Sequence, residues 1–487
     1  MTEYDLAVRG GTIISAGAEM KCDIGIIGDE IVALSKSLGP AKRDIDATDK
    51  LVLPGGVEAH CHIEQKSAFG LMTSDDFESA TIAAAFGGNT TVIPFAAQHR
   101  GDSLRRTIEE YHARAKPKAV IDYGYHLIVS DPTPEVLGQE LPALIQAGFT
   151  SFKVYMTYDL LRLDDKQMLD VLSTARREGA LVMIHAENYE MIRWLTEKLL
   201  EQRHTAPRYH GISHSRISEG EATHRAIALS QLVDTPILIV HVSTDEAATE
   251  IRRAQDAGLK VYGETCPQYL FLTLEDLDKQ GMDGAKFCCS PPPRDADSQE
   301  AMWRGLQNGT FQVFSSDHAP YSFDEHGKLY AGPNPPFTKI ANGVPGIETR
   351  LPLLFSEGVN TGRIDIHKFV ELTSTNAARI YGLFPRKGTI AVGADADLAI
   401  WDPNLEKTIR YEDLHDRAGY SPYEGRTVKG WPITTINRGR VVVTDGGLQV
   451  EAGSGRFLER GKTSFMRPLG RLQPEVDPKR NFNAGIL

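Results

Sequence analysis

The chain has 487 residues, with 53 Lys and Arg against 65 Asp and Glu for a formal net charge of -12, and it is 41% hydrophobic and 24% charged. That balance is ordinary for a globular protein and excludes disordered, collagen-like and membrane-spanning classes. With no dense Lys/Arg run to meet phosphates it also argues against a nucleic-acid partner.

The first ten residues carry Glu3, Asp5 and Arg9 among apolar neighbours, unlike the basic-then-apolar layout of a secretory signal, so no targeting segment is expected. Short apolar runs at 6–8, 12–14, 24–27 and 31–34, broken by Gly10, Gly11 and Gly28, predict a small antiparallel sheet. From about residue 51 to about 383 the pattern changes to buried strands alternating with amphipathic helices. The strand candidates are 51–62, 90–95, 120–129, 149–156, 181–186, 236–242, 259–264 and 312–317, and a helix is expected over 163–178. Eight such units predict a (β/α)8 barrel; no GxGxxG follows the first strand, which disfavours an open doubly wound sheet. Short β runs return at 396–401, 434–437 and 440–444, with Asp402-Pro403 ending the first. The expected architecture is α/β. A barrel over 55–383 is joined to one β-sandwich domain built from both termini, 1–54 and 384–460, and followed by a tail, 461–487. The tail has weak periodicity and is expected either to be disordered or to lie over a neighbouring subunit.

In a parallel barrel the working face lies where strands end. The first strand ends in Glu58-Ala59-His60-Cys61-His62, the fourth holds Lys153, the fifth ends near His185, the sixth near His241 and the eighth at Asp317. Residues two apart on a strand share a face, so His60 and His62 point together and can hold one metal ion, while His185 and His241 can hold a second and Asp317 complete the set. Lys153 sits among apolar residues, where burial favours the neutral, nucleophilic amine; that amine can add carbon dioxide to become an anionic carbamate able to bridge two cations. Glu187 and Glu264 lie at strand ends, where they could orient ligand histidines. His204, His210, His214 and His224 fall in a polar segment that reads as a solvated loop and helix. His99 and His126 are read as structural, and Cys288 and Cys289 as packed small residues.

The segments Pro54 to His62, Phe152 to Tyr158, Cys289-Ser290-Pro291-Pro292, Ser316-Asp317-His318, Asn342-Gly343-Val344-Pro345-Gly346 and Gly419 to Gly425 resemble, in order and spacing, the dihydropyrimidinase/hydantoinase branch of the amidohydrolase superfamily. The resemblance covers nearly the whole chain. It implies two divalent metal ions, usually zinc, with His60 and His62 on the more buried one, His185 and His241 on the other, a carboxylated Lys153 bridging them and Asp317 on the first. It implies that Tyr158 hydrogen-bonds the developing oxyanion and that backbone groups at Ser290 and Asn342 hold the substrate ring. The implied reaction is hydrolytic opening of a dihydropyrimidine or 5-substituted hydantoin to an N-carbamoyl amino acid: two cations lower the pKa of a water to about 7, and Asp317 acts as general base and then protonates the leaving nitrogen. A homotetramer is the family's usual assembly.

The loops 64–72 and 159–163 are apolar enough to wall a pocket beside the metals, and Phe69, Leu71 and Leu160 are expected to set tolerance for the ring substituent. A neutral cyclic ureide or imide is the expected partner. Cyclic-imide hydrolase, allantoinase and dihydroorotase activities stay open on the same site, because Cys61 and Glu64-Gln65 depart from the common pattern and no arginine for an acidic ring is identifiable. A non-catalytic scaffold of the same fold would have lost metal ligands, whereas all six positions here hold competent residue types. Five cysteines, an odd number that includes the adjacent Cys288 and Cys289, do not form a disulfide framework and fit a reducing cytoplasm. No run of about 18 apolar residues is present, so no membrane partner is expected.

Overall fold

The computed structural model describes residues 3–67 and 69–487; residues 1–2, at the start of the segment read for targeting signals, and Ala68, in the loop read as a pocket wall, lie outside the described residues. The N-terminal part forms β1 (Tyr4–Arg9), β2 (Thr12–Ile14), β3 (Glu19–Lys21), β4 (Asp23–Ile27), β5 (Glu30–Ser35), β6 (Ala41–Asp46) and β7 (Leu51–Pro54). The barrel strands are β8 (Gly56–Cys61), β9 (Asn89–Ala97), β10 (Asp122–Tyr123), β11 (His126–Ile128), β12 (Ser151–Tyr155), β13 (Leu181–His185), β14 (Ile237–Ile239), β15 (Val261–Thr265) and β16 (Val313–Phe314). The chain ends with β17 (Leu398–Thr408), β18 (Thr427–Asn437), β19 (Arg440–Thr444) and β20 (Gly447–Leu448).

The barrel sheet runs β8, β9, β11, β12, β13, β14, β15, β16, each pair parallel, with β10 and β11 as two halves of the third strand along β9. A parallel bridge between Cys61 and His318 and the His62 N–H bond to the His318 carbonyl (2.7 Å) close the ring. Strand alternation sorts the core: Leu181 and Met183 belong to the inner cluster, while Val182 and Ile184 pack outward against the helices. The helix predicted over 163–178 runs Asp165–Glu178, because Asp164 caps it and the Leu163 N–H bonds back to the Tyr155 carbonyl.

Three details differ from the sequence reading. The run 51–62 is two strands: β7 joins the terminal sheet beside β17, and only β8 enters the barrel. The strands β3 and β6 have mostly exposed residues and lie at sheet edges, so they carry no apolar run to betray them. The strand β17 continues past Asp402-Pro403 through a register shift, where the sequence suggests an end.

The termini form a four-stranded sheet, β5-β4-β1-β6, and a seven-stranded sheet, β20-β19-β18-β17-β7-β2-β3. They share an apolar layer of Leu6, Val8 and Ile24 from one and Ile13, Val52, Ile400 and Ile436 from the other. Most pairings are antiparallel, but β1 with β6 and β2 with β7 are parallel. The segment after residue 461 is held by its own barrel as far as Arg471. Met466 is fully buried in the inner cluster, the Lys260 ammonium donates to the Ser464 and Arg467 carbonyls (2.6 and 2.8 Å), and the Asp234 carboxylate accepts the N–H groups of Leu469, Gly470 and Arg471. Backbone groups that find such partners need neither disorder nor a neighbouring subunit. Among the described residues no helix is long and apolar enough to cross a membrane, and the five cysteines are free.

Candidate active site

A cavity of about 710 Å³ opens at the end of the barrel where its strands finish. The metal-ligand, catalytic and ring-holding residues named from the sequence all line it except His60, which lies beneath, fully buried. The register of β8 against β9 shifts between Glu58 and Cys61; Cys61 then packs into the outer cluster while His60 and His62 face inward, their ring centroids 5.6 Å apart. Tyr158, His241 and Asp317 have φ of 72°, 41° and 47°, a left-handed backbone that non-glycine residues avoid and that clusters at functional sites.

The side chains converge closely. His60 Nε2 lies 2.9 Å from the Lys153 Nζ and 3.1 Å from Asp317 Oδ1, and His62 Nε2 lies 3.2 Å from the same oxygen. Donor atoms of His60, His241 and Asp317 fall within 4.8 Å of one another, and the His185 ring packs edge-on to His241 with centroids 4.4 Å apart. Three imidazoles have one nitrogen tied: His60 Nδ1 to Glu264 (2.6 Å), His62 Nδ1 to Gln65 Oε1 (2.8 Å) and His185 Nε2 to Glu187 (2.7 Å). Such ties turn the other ring nitrogen towards the shared space. Both nitrogens of His241 are buried without a partner among the described residues, an expensive state for an imidazole that has nothing to ligate.

Burial sets the protonation. It lowers the Lys153 ammonium to about 8, against the opposing pull of Asp317 and Glu264, so part of the lysine is neutral near physiological pH. Burial also lowers His62 and His185 and holds His241 well below the usual imidazole range, favouring the neutral, metal-ligating form. Asp317 is desolvated too, but His60 and His62 outweigh this and hold its carboxyl well below the ordinary range. Burial raises Tyr158 well above its usual value, so its hydroxyl is a donor. Four imidazoles, three of them held below the usual range by burial, a desolvated amine and a carboxylate form a donor set that fits divalent cations.

Several supporting residues differ from the sequence reading or escaped it. His210 and His214 are not solvated but buried in the cavity wall, because their segment folds over the barrel mouth: His210 Nε2 bonds the Cys289 carbonyl (2.8 Å), and His214 Nδ1 bonds Glu187 (2.9 Å). His204 stacks on Tyr209 and His224 is exposed beside Glu250. His99 lines the cavity, whereas His126 is tied below it to Ser151 and the Ala59 carbonyl. Cys288 and Cys289 are buried, and desolvation pushes the Cys288 thiol to about 12. The sequence marks no role for Gln65, although its place three residues after His62 is a usable signal. Nor does it mark one for Arg350, which pairs with the buried Glu58 (3.0 Å), because this partner is remote in sequence. Phe69, Leu71 and Leu160 line the cavity as expected.

The sequence model of the amidohydrolase family matches residues 51–442. The D-hydantoinase of Ralstonia pickettii is 43% identical over 459 residues, covering 94% of this chain and 99% of the relative, and that of Geobacillus stearothermophilus is 45% identical over 93% and 96%. Among solved structures, the dihydropyrimidinase of Brevibacillus agri superposes with a TM-score of 0.91 at 42% identity over 94% of this chain and 99% of its own. The L-hydantoinase (dihydropyrimidinase) of Arthrobacter aurescens superposes with a TM-score of 0.84 at 28% identity over 94% and 100%. The chain belongs to the amidohydrolase family, in its hydantoinase branch.

Proposed function

We propose that the protein hydrolyses the ring amide of a 5-substituted hydantoin or a dihydropyrimidine to an N-carbamoyl amino acid. The observation that carries this is the convergence of His60, His62, Lys153, His185, His241 and Asp317 at one cavity, with both nitrogens of the buried His241 unpartnered, in a chain 43–45% identical to D-hydantoinases.

His60, His62 and Asp317 would hold one divalent cation and His185 and His241 a second, both zinc as is usual in the family, with a carbamate on Lys153 between them. Bound there, the cations would lower the pKa of a water to about 7 and polarise the ring carbonyl. The chain does the rest. Burial supplies the fraction of neutral Lys153 that carbamate formation requires. Asp317, at the cavity floor, takes the proton of the attacking water and passes it to the departing ring nitrogen, which leaves poorly as an anion. Tyr158 keeps its proton and donates to the oxygen that gains charge as the carbonyl carbon becomes tetrahedral. Backbone groups at Ser290 and Asn342 hold the ring, and Phe69, Leu71 and Leu160 wall its substituent.

A neutral ring is favoured over dihydroorotate, because among the described residues the one arginine lining the cavity, Arg193, is paired with Glu197 at 2.9 Å. Exposed Trp194, Ile212 and Ile217 supply apolar surface for the subunit contacts of a homotetramer, and five free cysteines fit a reducing cytoplasm. The test is metal content per chain by elemental analysis, on the same sample as ring-opening assays with hydantoin, dihydrouracil, allantoin and dihydroorotate. About two zinc ions with turnover of the first two rings is the expected result. No metal, and no activity after adding zinc and bicarbonate, overturns the reading.

A further inference from the structure

The loop that follows the barrel's last strand carries Lys328, whose side chain is fully buried. Its ammonium donates to three backbone carbonyls: Cys288 at 2.7 Å, Ala341 at 2.8 Å and Gly343 at 2.6 Å. An ammonium has three protons, so its donors are saturated. The ionisable neighbours acting on its charge are the thiols of Cys288 and Cys289 rather than a carboxylate. Burying a cation without a counter-ion is expensive, and three converging carbonyl dipoles are what offsets it here.

Those carbonyls lie in the two segments that carry Ser290 and Asn342. In a planar trans peptide, C=O and the following N–H point in opposite directions. Fixing the Ala341 carbonyl therefore fixes the Asn342 N–H. The Gly343 N–H bonds the Cys288 carbonyl (2.9 Å), itself held by Lys328, and this fixes the direction of the Asn342 carbonyl. On the other segment the Cys289 carbonyl is held by His210, which fixes the Ser290 N–H. Among the described residues the backbone N–H and C=O groups of Asn342 and Ser290 have no hydrogen-bond partner of their own, although both residues line the cavity.

We propose that Lys328 is a positioning residue for substrate: it locks the 288–290 and 341–343 segments to each other, so that the backbone donor and acceptor of Asn342, set against Ser290, are presented to the alternating N–H and C=O edge of a cyclic ureide. This rests on the proposed function. Without the ammonium, the Ala341 and Gly343 carbonyls lose their donor and the Cys288 carbonyl keeps only the Gly343 N–H, so the peptides on either side of Asn342 turn and the groups that meet the ring turn with them. Lys328 touches neither the metal-ligand set nor the scissile bond, so ground-state and transition-state binding suffer together.

The experiment compares Lys328→Met with the wild-type holoenzyme in steady-state ring opening of hydantoin and dihydrouracil, with zinc per chain and thermal melting read on the same samples. The expected result is a KM raised about tenfold for both rings, kcat within about threefold of wild type, and unchanged metal content. Lys328→Gln, which keeps two donors, is expected to fall between them. An unchanged KM in a folded, metal-replete Lys328→Met overturns the proposal, as does a loss of activity that tracks loss of metal. Failure of both variants to fold overturns it too, making the lysine a determinant of the fold alone. Wild-type protein that opens neither ring is a different failure: it overturns the proposed function, and the substrate-facing role of Lys328 with it.

Discussion

Lys153 is a fully buried member of the metal-ligand set and Tyr158 is its half-buried neighbour, and desolvation drives both to the neutral form with opposite consequences. It pushes the amine towards its neutral form and holds the phenol in its neutral form, so one gains a nucleophile's lone pair and the other keeps a donor's proton. Lys153→Ala is expected to lose ring opening and bound metal together, read by elemental analysis beside the assay; full activity with two metals retained would sink the bridging role. Tyr158→Phe removes a donor needed only as charge develops, so kcat is expected to fall about a hundredfold with KM little changed, which steady-state kinetics on hydantoin would check. Residue type and apolar surroundings make Lys153 legible in the sequence, whereas Tyr158 is legible only through the family resemblance. Gln65, His214 and Lys328 are not legible there, because each acts through a partner that only folding brings near: Gln65 through the His62 ring, His214 through Glu187, Lys328 through carbonyls 13 to 40 residues away.

At the level of elements, the helix Asp165–Glu178 shows how local chemistry sets a boundary. Asp164 accepts the Gln167 N–H at 2.8 Å while the Gln167 side chain accepts the Asp164 N–H at 3.1 Å, and Gly179 ends the helix at φ 70°. Asp164→Ala is expected to cost about 1 kcal/mol in urea denaturation and to leave turnover unchanged, since the cap lies outside the cavity. Apolar periodicity places this helix two residues early, because Leu163 continues the apolar pattern although its backbone belongs to the preceding turn. The same kind of signal overextends the first barrel strand: 51–62 reads as one run, but β7 and β8 serve different sheets.

At the scale of the whole molecule, the segment following β17 returns to the barrel mouth and buries Asp416. Desolvation, reinforced by the Asp75 carboxylate that pairs with His318, raises Asp416 to about 7. Between the ordinary aspartate value and about 7 the native state keeps a proton that the unfolded chain has lost, so this group makes stability fall as pH rises through that window and level off above it. Denaturation midpoints across pH 4 to 7 are expected to carry this slope in wild type and to lose it in Asp416→Asn; identical slopes would show that the site does not titrate there.

Composition, alternating apolar runs and strand-end residue types were sufficient for the barrel and the two-ended β unit and for nominating the residues of the candidate metal site, because each is written in local periodicity or in chemistry that few residue types can perform. Contacts distant in sequence were decided by the tertiary structure alone. The buried Lys387 meets Asp122, Asp395 and Asp397 at 2.6 to 2.9 Å, with Arg438 on Asp122, tying the barrel to the terminal sheets. The first part of the tail, as far as Arg471, settles on its own barrel because Asp234 and the inner cluster offer its amides and Met466 partners. The physical reason is the same in each case: a buried charge or amide needs a partner in space, and sequence separation does not say which partner it will meet.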